Sequence, residues 1–261
     1  MLLKSVLPRE HGLTVVWITT FLLSFLVSRH HSYFGIFTFL ILTASLLAYD
    51  PILSALRLWS AGRDIKAYLI KSYPFTLVLP LGIISWFTFG ILFENFPLTS
   101  LLFFIAIAVC FFLSFYSGER RLSTLILSIS TITSFLVLIV SAFDLSLSPA
   151  EIYLFVAFTA CEVFIAIGPH EIMQVRIQRN DYNRSYLFRI VPAYLIALFV
   201  VSFVMVHVSF VLKFLFLLVL TIILVSYLFM RDLQIKKIGY VLALFNLIVL
   251  IFFASMYFTF V

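Results

Sequence analysis

The residues able to do chemistry in this 261-residue chain fall in a few short polar stretches between long runs of Leu, Ile, Phe and Val. PREHG at 8–12 supplies Arg9, Glu10 and His11. A second stretch opens on Asp50-Pro51 and adds Arg57 and Arg63. A third, PHEIMQVRIQRNDYNRSYLFR at 169–189, supplies His170, Glu171, Gln174, Arg176, Arg179 and Asp181. Guanidinium forks of this kind receive a phosphate or carboxylate directly, without a metal. His11 beside Glu10 and His170 beside Glu171 are the parts of a general acid/base pair or of two metal ligands. The plainer reading makes the arginines interfacial anchors that pair with one another and with lipid headgroups, and the histidines hydrogen-bonding groups at helix ends. Haem ligation would need His11 and His170 facing each other at one depth, and no spacing demands it.

If the helix carrying His170 continues through 181, then His170, Gln174, Gln178 and Asp181 fall at i, i+4, i+8 and i+11 as one polar stripe. Gly168-Pro169 is expected to loosen that helix just before the stripe. Glu162 is the one acid deep inside an apolar run. An ionised carboxylate there costs about 2.5–3.5 kcal/mol even on insertion scales, so it should face the interior, be paired or be protonated. A proton or substrate role is its functional reading, although one acid does not make a relay. Cys110 and Cys161 lack ligand spacing and read as small buried hydrophobes. No metal site is expected.

The elements that must position these groups are membrane helices. The chain is 64% hydrophobic and 11% charged, with mean hydropathy +1.21, far from the half-apolar, quarter-charged balance of a soluble domain. It has only 8 Gly and no period-2 alternation, which argues against a barrel. Polar interruptions divide it into nine expected spans, about 11–28, 32–49, 68–92, 98–116, 122–143, 149–170, 187–207, 210–230 and 238–260. The first reads as a retained helix, not a cleaved leader. With the N-terminus cytoplasmic, all of the 17 cations but Arg29 and Lys213 lie inside. The C-terminus is then outside. The +6 net charge is mostly positive-inside anchoring and needs no nucleic acid. Residues 1–261 form a single polytopic domain of the cell membrane. Loops after the second and sixth spans, about 50–67 and 171–186, are long and Arg-rich. They hold the same place in two four-helix halves, spans 1–4 and 5–8, with the ninth left over.

Nine helices with polar loops after helices 2 and 6 resemble the UbiA superfamily of intramembrane prenyltransferases. That resemblance implies an isoprenoid between the helices and a diphosphate held through Mg²⁺ by aspartates of those loops. The family's NDxxDxxxD, laid on Tyr49–Arg57, keeps only Asp50; Tyr49, Leu53 and Arg57 stand at the other ligand positions. The second loop offers Glu171, Gln174 and Asp181 but no DxxxD, so a Mg²⁺–diphosphate site is not expected to assemble. LPREHG, Leu7–Gly12, is similar to the opening of the YwiC-like membrane proteins, which also carry an Arg-rich second-half loop. These resemblances imply a prenyltransferase-like protein with a degenerate aspartate-rich site, binding an isoprenoid or anionic lipid at the cytoplasmic side. Asp50 would then be an arginine partner or helix cap. A non-catalytic lipid- or quinone-binding subunit of a membrane (respiratory) complex is the second reading, and a small transporter the third.

Overall fold

The computed structural model describes residues 11–28, 33–62, 64, 66, 84, 88, 105, 109, 122–144, 149–178, 186–204, 210–230 and 233–260. Seven helices are named here: α1 (His11–Val27), α2 (Tyr33–Ser60), α3 (Leu122–Asp144), α4 (Pro149–Gln178), α5 (Val191–Val204), α6 (Phe210–Met230) and α7 (Ile235–Phe260). One π-helical turn, Tyr186–Ile190, leads into α5. No strand occurs among the described residues. Four stretches, Ile152–Arg176, Tyr186–Phe203, Lys213–Met230 and Lys237–Phe258, are long and apolar enough to cross a membrane. Shorter apolar helical stretches run Val15–Val27, Tyr33–Ala44 and Leu125–Val140. The expected third and fourth spans, 68–92 and 98–116, lie almost wholly outside the described residues.

α1, α3, α4 and α7 close a four-helix ring, each packing on the next in the order α1–α3–α4–α7–α1. α2 leans on the outside of α3, while α5 and α6 cover the outside of α4. The outward faces are apolar: Phe199, Phe229 and Tyr240 are 71%, 74% and 77% exposed. Such a surface suits hydrocarbon, because the helices leave no backbone group to be hydrated. Inside, Phe158 and Phe216 meet Phe253 edge-on with centroids 5.5 Å apart, joining α4, α6 and α7. Trp17, Phe21 and Phe39 stack where α1 meets α2.

Hydroxyls inside the apolar helices are satisfied mainly by their own turns. Ser24 donates to Thr20 O, Ser28 to Ser24 O and Thr38 to Phe34 O, at 2.7–2.8 Å. An i−4 back-bond lets a hydroxyl enter a dry environment without a long-range partner.

One expectation about a helix end is corrected. α2 does not stop at residue 49; it runs through Asp50-Pro51 to Ser60. The segment ILSALRLW after Pro51 is built of good helix formers, which outweigh the polar punctuation. The helix ends at Gly62, whose φ of 68° places it in the left-handed region and whose amide donates to Trp59 O at 2.9 Å. Asp64 Oδ1 then accepts from Lys66 N at 2.9 Å, the pattern of a helix N-cap. The loop expected from residue 50 therefore begins only after Ser60.

Gly168-Pro169, expected to loosen α4, takes a backbone hydrogen bond from it without ending it. α4 is continuous across it, from Pro149 to Gln178. Pro169 has no amide hydrogen for the carbonyl four residues back, Ile165. That carbonyl accepts instead from Tyr227 Oη on α6, at 2.8 Å. Gly168 is what lets the phenol ring approach: a Cβ built there would overlap it. Tyr227 is itself fully buried and sits edge-on to Phe164 and Phe245.

Tyr227→Phe is expected to lower unfolding stability in detergent by about 1 kcal/mol, since one hydrogen bond goes and a buried carbonyl is left unpaired. Adding Pro169→Ala, which returns the missing amide to Ile165, should recover most of that loss. Thermal unfolding of the single and double variants measures both effects; an additive double variant would refute the substitution of phenol for amide.

Candidate functional site

α4 carries two polar sites. The first lies in its last turns. Glu171 is fully buried, yet it is held by a cation: Arg189 Nη1 donates to Oε1 at 3.0 Å and to Oε2 at 2.9 Å. The Arg189 side chain is half exposed, so the pair joins a dry carboxylate to a guanidinium at the bundle's edge. His170 Nδ1 lies 3.4 Å from Glu171 Oε1, close enough for attraction, and neither ring nitrogen makes an aligned hydrogen bond.

Arg189 is placed by the π turn. Pro192, at the start of α5, cannot give an amide hydrogen to the Phe188 carbonyl, and the next amide, Ala193, is five residues on, which is π spacing. Tyr186 opens the same turn, and its hydroxyl donates to Leu224 O of α6 at 2.9 Å. Arg176, in the last turn of α4, donates from Nη2 to Leu233 O at 2.6 Å and so ties α4 to the α6–α7 turn. A cation there also suits the negative end of the helix. Four side chains thus lock one end of α4, α5, α6 and α7 together.

The second site is at mid-bundle. Glu162 is fully buried, and neither carboxylate oxygen has a hydrogen-bond partner among the described residues. Thr19 of α1 adjoins it. One turn along α4, Thr159 donates to Thr133 of α3 at 3.0 Å. Asn246 of α7, also fully buried, donates to Leu242 O at 2.8 Å and leaves Oδ1 unpaired.

The expected polar stripe is on helix through Gln178, with His170 and Gln174 partly buried; Asp181 and Arg179 lie outside the described residues. So do Arg9, Glu10 and Arg63. His11, Asp50 and Arg57 are on the described backbone of α1 and α2, but their side chains lie outside the described set. The structure therefore brings together His170 and Glu171, and sets Arg176 on the same end. Glu162 stands apart from them, nine residues or about 13 Å up the helix from Glu171.

Arg189, Tyr186, Tyr227 and Asn246 were not among the residues singled out by sequence. Arg189 had a usable signal, since it opens the helix after the one that Glu171 helps to close, at the same membrane depth. No group of three or more His, Cys, Asp or Glu able to hold a metal occurs among the described residues. Comparison with family models, curated proteins and solved structures finds no match for the chain.

Arg189→Ala would strand Glu171 as an uncompensated buried charge and is expected to cost about 3 kcal/mol. Glu171→Gln in the same chain should restore much of this, because the amide needs no counter-charge. A double-mutant cycle read by thermal unfolding checks the coupling; two independent, additive losses would mean the pair does not hold this end together.

Proposed function

We propose that the chain is a nine-helix cell-membrane protein of UbiA-like topology, resembling the YwiC-like proteins, that binds the anionic head of an isoprenoid or related lipid at its cytoplasmic end. The observation that carries this reading is the Arg189–Glu171 pair. It answers the buried acid of that end, which leaves one acid fewer for the other inner-side cations to neutralise. In the proposed orientation 15 of the 17 cations but only 7 of the 11 acids lie on the inner side. Arg57, Arg63, Arg179 and Arg184 belong to that surplus. Guanidinium forks suit a phosphate or diphosphate head directly, while Asp50 alone among the family's motif positions is too little for Mg²⁺.

The same pair favours a non-catalytic role over prenyl transfer. Glu171 is committed to Arg189 and so is poorly placed to serve as a free acid/base. A lipid- or quinone-binding subunit of a larger membrane assembly is therefore the second reading.

Binding of a long-chain prenyl diphosphate to the purified chain tests the proposal. It should persist in excess EDTA and weaken about tenfold or more for each of Arg57→Ala and Arg179→Ala, the cost of one charge-assisted hydrogen bond. Binding abolished by EDTA would mean a metal site and overturn direct arginine recognition. Absence of binding in either buffer, with stoichiometric co-purification of other subunits, would favour the subunit reading.

Orientation has its own check. With Cys110 and Cys161 replaced, single cysteines at Gly118 and Lys237 should react with an impermeant thiol reagent only from the cytoplasmic face. A cysteine at Lys213 should react only from the other. Reversed labelling would invert the proposed topology.

A further inference from the structure

The mid-bundle site has a chemistry of its own, independent of lipid binding. Glu162 points into the four-helix ring. On α4, Phe158 meets Phe253 of α7 and Thr159 meets Thr133 of α3. Glu162 is four residues after the first and three after the second, so it falls on the stripe between them. α1, which packs on both α3 and α7, lies across that stripe and supplies Thr19.

The levels agree. Val16 of α1 packs with Ile129 and Ile132 of α3, which sets Thr19 beside Thr133. α7 runs antiparallel to α4: Phe253 meets Phe158, while Phe245 meets Tyr227, which bonds Ile165. Asn246 therefore lies within about one helical turn of Glu162 along the axis.

What these groups offer is lone pairs. Thr19 has backbone acceptors for its hydrogen in Val16 O at 2.9 Å and Val15 O at 3.1 Å, with the Glu162 carboxylate as the competing one. Thr133 gives its own to Ile129 O at 3.0 Å, and Thr159 gives its to Thr133. Asn246 spends its amide on Leu242 O, which leaves Oδ1 as a free acceptor. The hydroxyl of Thr20, beside Thr19, is buried without a partner. The carboxylate thus has few donors and no fixed positive charge to offset its own, so a proton or a diffusible cation must neutralise it.

No fixed cation fills that role among the described residues. α1 has no charged residue after His11, α3 has none before Asp144, and the lysines of α7 lie in its first turn. The other titratable groups nearby are Cys161, next to Glu162 in the chain, and Tyr227, whose hydroxyl is spent on Ile165 O.

We propose that Glu162 is the anionic ligand of a buried monovalent-cation site, in which Na⁺ and a proton compete for the same carboxyl. Hydroxyl and amide oxygens of Thr19, Thr159 and Asn246 complete a hard-oxygen set suited to Na⁺. One carboxylate balances one positive charge, which favours a monovalent over a divalent ion in a dry site. Binding Na⁺ releases one proton from Glu162, and Na⁺ release takes one back.

Dicyclohexylcarbodiimide, an apolar reagent that adds the O–H of a protonated carboxyl and rearranges to a stable N-acylurea, reads this competition in the full chain. Peptide mapping by mass spectrometry should find the adduct on Glu162, formed faster as pH falls, and slowed by NaCl but not by choline chloride at equal ionic strength. Thr19→Val and Asn246→Leu should leave labelling without Na⁺ intact, while raising the Na⁺ needed for half-protection about tenfold, the worth of one polar contact within a membrane. Labelling that Na⁺ does not slow would overturn the cation site, and no adduct on Glu162 at any pH would do the same. Because mapping locates the adduct in the unsubstituted protein, the test does not depend on whether Glu162→Gln folds.

Discussion

The phenol of Tyr227, donating to the carbonyl that Pro169 leaves without an amide, is the contact on which the rest of the bundle depends. α4 is the hub of the fold: it packs on α3 and α7 within the ring, and on α5 and α6 outside it. A break at Gly168-Pro169 would separate Glu162 from Glu171 and detach the ring from its outer helices. Without water, a freed carbonyl has to find another donor in the protein. Only a long side chain from a neighbouring helix can reach into the ladder. Gly168 clears the space and Phe164 and Phe245 hold the ring in place. The proline that ought to weaken the helix thus pins α6 to it.

The same requirement explains how an oily bundle carries so many polar side chains. Serines and threonines are nearly free when their hydrogens go to the preceding turn, so their positions say little about function. The costly groups are those that a local turn cannot satisfy, and among the described residues they concentrate on α4. Glu171 is answered by Arg189 from a π turn that Pro192 helps to create. Arg176 is answered by Leu233 O. Two prolines, 169 and 192, therefore flank the locked end, each supplying an irregularity that a polar contact exploits.

How much of this was legible in the sequence follows from the range of each interaction. Helical, membrane-spanning character follows from composition, and the need for Glu162 to face inward, be paired or be protonated follows from the cost of a charge in an apolar run; both are local properties. The run of α2 through Asp50-Pro51 was missed because the polar pair outweighed the strong helix formers behind it. Glu171 and Arg189 lie 18 residues apart, Tyr227 and Ile165 lie 62 apart, and Thr159 and Thr133 lie 26 apart. Periodicity says which face a residue occupies but not which helix lies opposite. For that reason Glu162 is recognisable as a group that must face inward, be paired or be protonated, while the hydroxyls and amide around it are not. The candidate residues in the first two polar stretches had the reverse fate: their types suggested chemistry, and their side chains lie outside the described residues.

Two acids on one helix, separated by about 13 Å, meet opposite solutions. Glu171 has a permanent guanidinium at hydrogen-bond distance, so its charge is fixed and can neither be exchanged nor moved without opening the end of the bundle. Glu162 has none, and several of its neighbours have committed their hydrogens elsewhere, Thr133 and Asn246 to the backbone and Thr159 to Thr133. A buried charge answered by a covalently attached cation is structural; one answered by a diffusible cation is an exchange site. Whether a carboxylate in a dry helix bundle serves architecture or function is then decided less by its own burial, which is complete for both residues, than by which way its neighbours' hydrogens point. Arg189 points two of them at Glu171, whereas those of Thr133, Thr159 and Asn246 are spent elsewhere than on Glu162.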